Sequence, residues 1–174
     1  MKKLFKFAPL CALLLAVVAF ILLLATHSIE YVNGNLKGWY DGPAALFGKG
    51  QSLGAWGGIS VVGEFEGKAA WNAILAFIFI IVALVALLVS SITVFVKIKV
   101  LEKFGGIIAL VSGGLLLVAG IFVFFTLPAF ASANEWNNTN NFALGAGWVV
   151  AAILAIVAGV VSACPAVLAL VEKK

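Results

Sequence analysis

The stretch Trp71–Val96, WNAILAFIFIIVALVALLVSSITVFV, runs for twenty-six residues without one ionisable side chain. A helix rises 1.5 Å per residue, so this segment outreaches the ~30 Å of hydrocarbon in a bilayer. Nothing in it alternates as a strand would, and no soluble core element needs so long an apolar run. It reads as a membrane-spanning helix. Three further runs read the same way: about Phe7–Ile29, Gly105–Phe130 and Phe142–Val171. The composition agrees. The 174-residue chain is 64% hydrophobic with mean hydropathy +1.21, far above the half-apolar content of soluble domains. The expected fold is an all-α membrane protein: one domain, 1–174, of four transmembrane helices.

The charges lie between the spans. Lys2, Lys3, Lys6, Lys97, Lys99, Lys103, Lys173 and Lys174 fall on one side, and only Lys37, Lys49 and Lys68 on the other. Lysine-rich loops stay in the cytoplasm. Both termini and the connector at 97–104 are therefore expected inside, and the loops at about 30–70 and 131–141 outside, in the plasma membrane. Trp39, Trp56, Trp71, Trp136 and Trp148 all fall in the outer loops or at the outer span ends, where indoles favour the headgroup layer. The first span follows lysines like a signal peptide. Its apolar core is too long and "ATHS" too poor a cleavage site, so it reads as an uncleaved helix.

All eleven cations are lysine and none forms a basic face, which excludes nucleic acid as a partner. The partners expected are the bilayer and either a second copy or another membrane protein. Cys11 and Cys164 both lie in apolar runs and read as packing residues, not a disulfide framework.

Small residues mark expected seams. Gly106, Gly113 and Gly120 recur every seven residues in the third span. Gly147, Ala151, Ala155, Gly159 and Ala163 recur every four in the fourth, with Ala143 before them. Lipid supplies no hydrophobic drive between helices, so such stripes let backbones close on one another. Pro165 could kink the fourth span, and Pro128 is expected to help end the third.

The loop at 30–70 reads as folded. IEYV-NG-NLKGWY is a hairpin signal with Asn33-Gly34 at its turn. GGISVVGEFEG reads as a further strand with a bulge at Gly63. YDGPAALFGKGQSLG reads as turn-rich with a short helix at Ala44–Phe47. A small antiparallel sheet in the first outer loop follows, with Leu46, Phe47, Leu53, Trp56, Ile59 and Val61 expected to pack down on the helices.

Trp39 and then Gly54-Ala55-Trp56-Gly57-Gly58-Ile59, within this arrangement of four spans and a large first outer loop, resemble the claudin and peripheral-myelin-protein tetraspans. That family carries tryptophan, then Gly-Leu-Trp-x-x-Cys, then a second cysteine. Gly54 and Trp56 match; Ala55 stands for the leucine, Ile59 for the first cysteine, and no second follows. The resemblance implies self-assembly, adhesion or an accessory role.

No chemistry emerges beside it. His27 and Glu30 at the end of the first span make a local pair, too few ligands for a metal. Glu64 and Glu66 share one strand face. There is no P-loop, dinucleotide fingerprint or nucleophile motif. Asn137-Asn138-Thr139 is a formal glycosylation sequon. The expectation is a non-enzymatic interaction protein with no catalytic residue, metal or cofactor; the alternative is a channel or transport component with its pore between protomers.

Overall fold

A computed structural model describes residues 7–56, 59–95 and 99–171, with side chains excepted at 56, 93–95, 99–103, 166 and 168–171. Lys2, Lys3, Lys6, Lys97, Lys173 and Lys174, and the side chains of Lys99 and Lys103, which set the expected orientation, lie outside it.

Four long helices form the body: α1 (Ala8–Ala25), α3 (Trp71–Phe95), α4 (Lys99–Phe124) and α6 (Ala146–Val171). Each contains a window of 18 or more residues apolar enough to cross a membrane. Their burial is inverted relative to a soluble bundle. The interior is rich in alanine, with Ala12, Ala16 and Ala19 of α1, Ala76 and Ala83 of α3, Ala119 of α4, and Ala151, Ala155 and Ala158 of α6 packed beside a few large residues such as Leu23, Ile80, Leu116 and Trp148. Large apolar side chains such as Leu14, Ile21, Ile78, Val85, Ile121 and Ile153 point outward. Small inside and large outside is how a bundle solvated by lipid packs, and the chain is an integral membrane protein. The helices form a ring in which α1 touches α3, α3 touches α4, α4 touches α6 and α6 returns to α1.

Between α1 and α3 lie β1 (His27–Asn33), β2 (Leu36–Asp41), the short helix α2 (Gly42–Phe47), β3 (Lys49–Trp56) and β4 (Ile59–Glu66). After α4 come α5 (Thr126–Ala133) and β5 (Phe142–Leu144). The five strands form one antiparallel sheet in the order β4-β3-β2-β1-β5. It sits where α1 and α4 end and α3 and α6 begin.

Several boundaries differ from the sequence reading. The sheet is not confined to the first loop, because β5 comes from the second. The fourth span therefore starts at Ala146 rather than Phe142, and Ala143 lies on a strand. Gly145 makes the corner: its N–H donates to the Ser28 carbonyl at 2.9 Å, and it rests on the His27 carbonyl where no side chain would fit. The first span ends at Ala25, so His27, Ser28 and Ile29 belong to β1. The third span ends at Phe124, four residues before Pro128, which sits in the first turn of α5. Pro128 has no N–H to offer the Phe124 carbonyl four residues back, and the carbonyl of Phe122 accepts from Asn72 Nδ2 of α3 at 2.9 Å.

The β1–β2 turn is centred on Gly34-Asn35, not Asn33-Gly34, because Asn33 pairs with Leu36. Gly34 has φ 60° at the first central position, as a type II′ turn requires. This register sets Tyr40 opposite Ile29; a turn one residue earlier would have set Gly38 there. Gly63 is a regular ladder position opposite Ser52. The irregularity falls instead in β1, between His27 and Ile29, where buried Ser28 donates its hydroxyl to the carbonyls of Tyr40 (3.1 Å) and Asp41 (2.7 Å). β3 lies where turns were expected.

Candidate functional site

Alternation along the strands assigns every sheet side chain to one of two faces. One carries Ile29, Tyr31, Leu36, Tyr40, Ser52, Val61, Phe65, Phe142 and the glycines at 38, 50, 54 and 63. No charged residue stands on it. Glu30, Lys37, Asp41, Lys49, Glu64 and Glu66 all stand on the other, where Lys49 and Glu66 pair at 3.6 Å with both side chains exposed. Glu64 and Glu66 do share a face.

The uncharged face divides along its length. Near the helices, Tyr40 meets Phe65, Phe130 and Trp136 at ring-centroid distances of 5.0, 5.6 and 5.6 Å, and this aromatic cluster seats the sheet on α5. Burial there raises the pKa of the Tyr40 phenol. Farther out nothing among the described residues covers the face. One cross-strand row reads Phe142, Tyr31, Gly38, Gly54, Val61. The two central glycines leave bare backbone between an aromatic wall, Tyr31 against Phe142 at 4.8 Å, and the exposed valine. The result is an open trough of about 860 Å³.

The outer edge of β4 is the second feature. β4 is eight residues long and terminates the sheet, with no strand beyond it among the described residues. Ile59, Val61 and Val62 are 70%, 63% and 56% exposed. Edge strands ordinarily carry lysine, proline or a bulge that blocks further pairing. β4 has none of them, and its charges, Glu64 and Glu66, are confined to the half near the helices, leaving Ile59–Val62 without one. Ile59 and Val61 were expected to pack on the helices; they do not, because the sheet rests on α5 through Tyr40 and Phe65 instead. Phe47 is also exposed on one side, although its ring meets Phe77 at 5.8 Å, whereas Leu46 is buried as expected.

The three residues of the claudin-like pattern are not brought together. Gly54 is on the trough floor. Trp39 is on the charged face, stacked against His27 with centroids 4.1 Å apart. Trp56 ends β3 opposite Ile59, and its side chain lies outside the described residues. Of the other tryptophans, Trp71 is 61% exposed at the start of α3, but Trp148 is fully buried in the bundle and Trp136 packs in the aromatic cluster.

The helix stripes are partly seams. Gly113 and Gly120 pack on α6, against Gly159 and Ile156, whereas Gly106 has nothing within 4 Å. The four-residue row of α6 does not stay on one side. Each step of four overshoots a turn by about 40°, so the row winds by about 160° from Gly147 to Ala163. Gly147 accordingly rests on Thr26 at the end of α1, Ala151 and Ala155 are buried, and Gly159 and Ala163 meet α4 at Gly113. Ser162 strengthens this contact by donating to the Ala109 carbonyl across the helices at 2.7 Å, with Ser112 3.3 Å from it.

His27 and Glu30 share the charged face, and among the described residues no cluster of three or more His, Cys, Asp or Glu could hold a metal. Asp41 is occupied structurally: one carboxylate oxygen caps α2 at the Ala44 N–H (2.8 Å) and the other accepts from the Gln51 N–H (2.9 Å). Cys11 and Cys164 are free thiols.

No family model matches this chain, and no curated protein matches it.

Proposed function

We propose that this protein works by protein–protein contact at its sheet-bearing end, as a self-assembling, adhesive or accessory membrane tetraspan similar in plan to the claudins. The lysine distribution supports placing that end outside the cell, with both termini in the cytoplasm of a plasma-membrane protein. The observation that carries the reading is the unblocked β4 edge. A row of unpaired backbone N–H and C=O groups flanked by exposed Ile59, Val61 and Val62 is a template for another strand. The strand suits a second copy of itself. Antiparallel pairing about Val62 sets Ile59 against Phe65 and Val61 against Gly63, and holds the two Glu64 carboxylates apart on either side of the axis.

The test is the native mass of protein extracted gently from its own membrane. A multiple of 18.2 kDa that falls to one copy in Val62→Pro supports self-assembly. A stoichiometric second protein, lost in the same variant, supports an accessory role. A lone chain in both samples, or an assembly indifferent to Val62→Pro, overturns the reading.

A further inference from the structure

The trough beside this edge has a property that strand pairing does not use. Gly54 lies in the interior of β3 with an ordinary strand backbone, and a Cβ there would meet nothing within 4 Å. Its partner Gly38 is different, since a side chain would stand 2.7 Å from the Leu53 carbonyl oxygen. Folding requires Gly38 and tolerates anything small at Gly54. Glycine inside a strand weakens it, and where sterics do not demand one it marks a close approach by something else.

The shape says what approaches. The bare floor is two strands wide, and from the level of Tyr40 and Ser52 to that of Leu36 it runs four residues, ~13 Å. A single extended chain would leave much of that floor uncovered, whereas a flat ring system lying on the backbone would fill it. Tyr31 provides an aromatic wall and Val61 an aliphatic one. No charged residue stands on the floor, and Lys37, the charged residue of the lining, belongs to the opposite face, so the floor offers nothing to offset the desolvation of an ionised ligand. At the helix-side end Tyr40 and Ser52 pair in register and both line the trough, and neither hydroxyl is hydrogen-bonded among the described residues.

We infer that the trough binds a flat, uncharged, multi-ring molecule bearing one hydroxyl or carbonyl, its rings on the Gly38–Gly54 floor and its polar end at Tyr40 and Ser52. The volume of about 860 Å³ is in the range of sites for one such molecule. The site belongs to a single copy of the chain and does not depend on pairing at β4.

The experiment is photolabelling of the full chain in lipid nanodiscs with a diazirine-bearing sterol, the adducts being mapped by peptide sequencing. Adducts on Tyr31, Leu36 or Val61 are expected, competed by excess unlabelled sterol. Gly54→Leu should lower them at least tenfold while leaving the unfolding temperature and any adducts on the helices unchanged. Val61→Phe, which narrows the trough from its other wall, should do the same and covers the case that Gly54→Leu folds poorly. Val62→Pro should leave labelling intact. Adducts confined to the helices, trough labelling unaffected by both filling variants, or equal labelling by a diazirine fatty acid, a single chain with a charged head, would each overturn the inference.

Discussion

Gly113 of α4 and Gly159 of α6 close on each other reciprocally: a Cβ on either would stand 2.7 Å from the carbonyl oxygen of the other. No rotamer change relieves such a contact, because backbone meets backbone. Gly113→Ala or Gly159→Ala should therefore part the helices and destabilise the protein by ~1–3 kcal/mol. Gly106 lies seven residues from Gly113 on the same stripe but has open space around it. Gly106→Ala should gain ~0.5–1 kcal/mol from helix propensity. Unfolding in mild detergent separates the two outcomes; equal effects at 106 and 113 would mean that the seam is misplaced.

Ser162 reaches across the same interface to the Ala109 carbonyl, while Ser112 donates mainly to Ile108 of its own helix at 2.8 Å. Interhelical hydrogen bonds in membranes average ~0.6 kcal/mol and reach ~1.7. Ser162→Ala should cost an amount in that range, and Ser112→Ala less. A double-mutant comparison by the same unfolding assay would reveal coupling through their 3.3 Å contact.

Asp41 holds α2 to β3 through two backbone N–H groups. Asp41→Ala should cost ~1–2 kcal/mol, and Asp41→Asn, which retains a cap, clearly less. A loss of function in Asp41→Ala thus reports a loosened sheet and not a missing catalyst. Proteolysis between 42 and 56 is a direct readout, since the loosened segment should be cut faster.

Tyr40 provides a spectroscopic check on the aromatic cluster. Burial raises its pKa above the ordinary 10.0, so the folded state holds the phenolic proton where the unfolded chain releases it. The stability this contributes is fully present below pH 10.0 and is lost as the pH rises through the folded-state value. The absorbance of tyrosinate should show a late titration that Tyr40→Phe removes. A Tyr40 that titrates with an exposed phenol would contradict the packing on Phe65, Phe130 and Trp136.

The spans were legible because an ion-free apolar run has one reading at that length. The hairpin was legible from its glycine turn and β-prone flanks, and α2 from Ala44-Ala45-Leu46-Phe47. β3 was not. Its residues on the uncharged face are Gly50, Ser52, Gly54 and Trp56, so the alternation that announces a strand carries a hydrophobic signal only at its last position. β5 was hidden inside an apolar run that continues directly into α6. The α4–α5 break falls where Pro128, lacking an N–H, opposes the Phe124 carbonyl four residues back, and Asn72, fifty residues away, takes the neighbouring Phe122 carbonyl. The trough escaped notice for a related reason, since it is defined by side chains missing at 38 and 54. Glycines suggested turns, and only cross-strand register brings these two side by side.

The order of the strands has a consequence for how the protein is made. β1 to β4 leave the ribosome in sequence, with β2, β3 and β4 each pairing with the strand before it. β5 begins at Phe142, 76 residues after β4 ends at Glu66, and pairs back onto β1 across two intervening spans. Until α3 and α4 have been synthesised, the β1 edge is bare and the Tyr31 wall has no Phe142 behind it. A nascent or truncated chain therefore exposes two open edges where the finished molecule covers part of one, and the arrival of three residues, Phe142–Leu144, separates a premature association from a mature one.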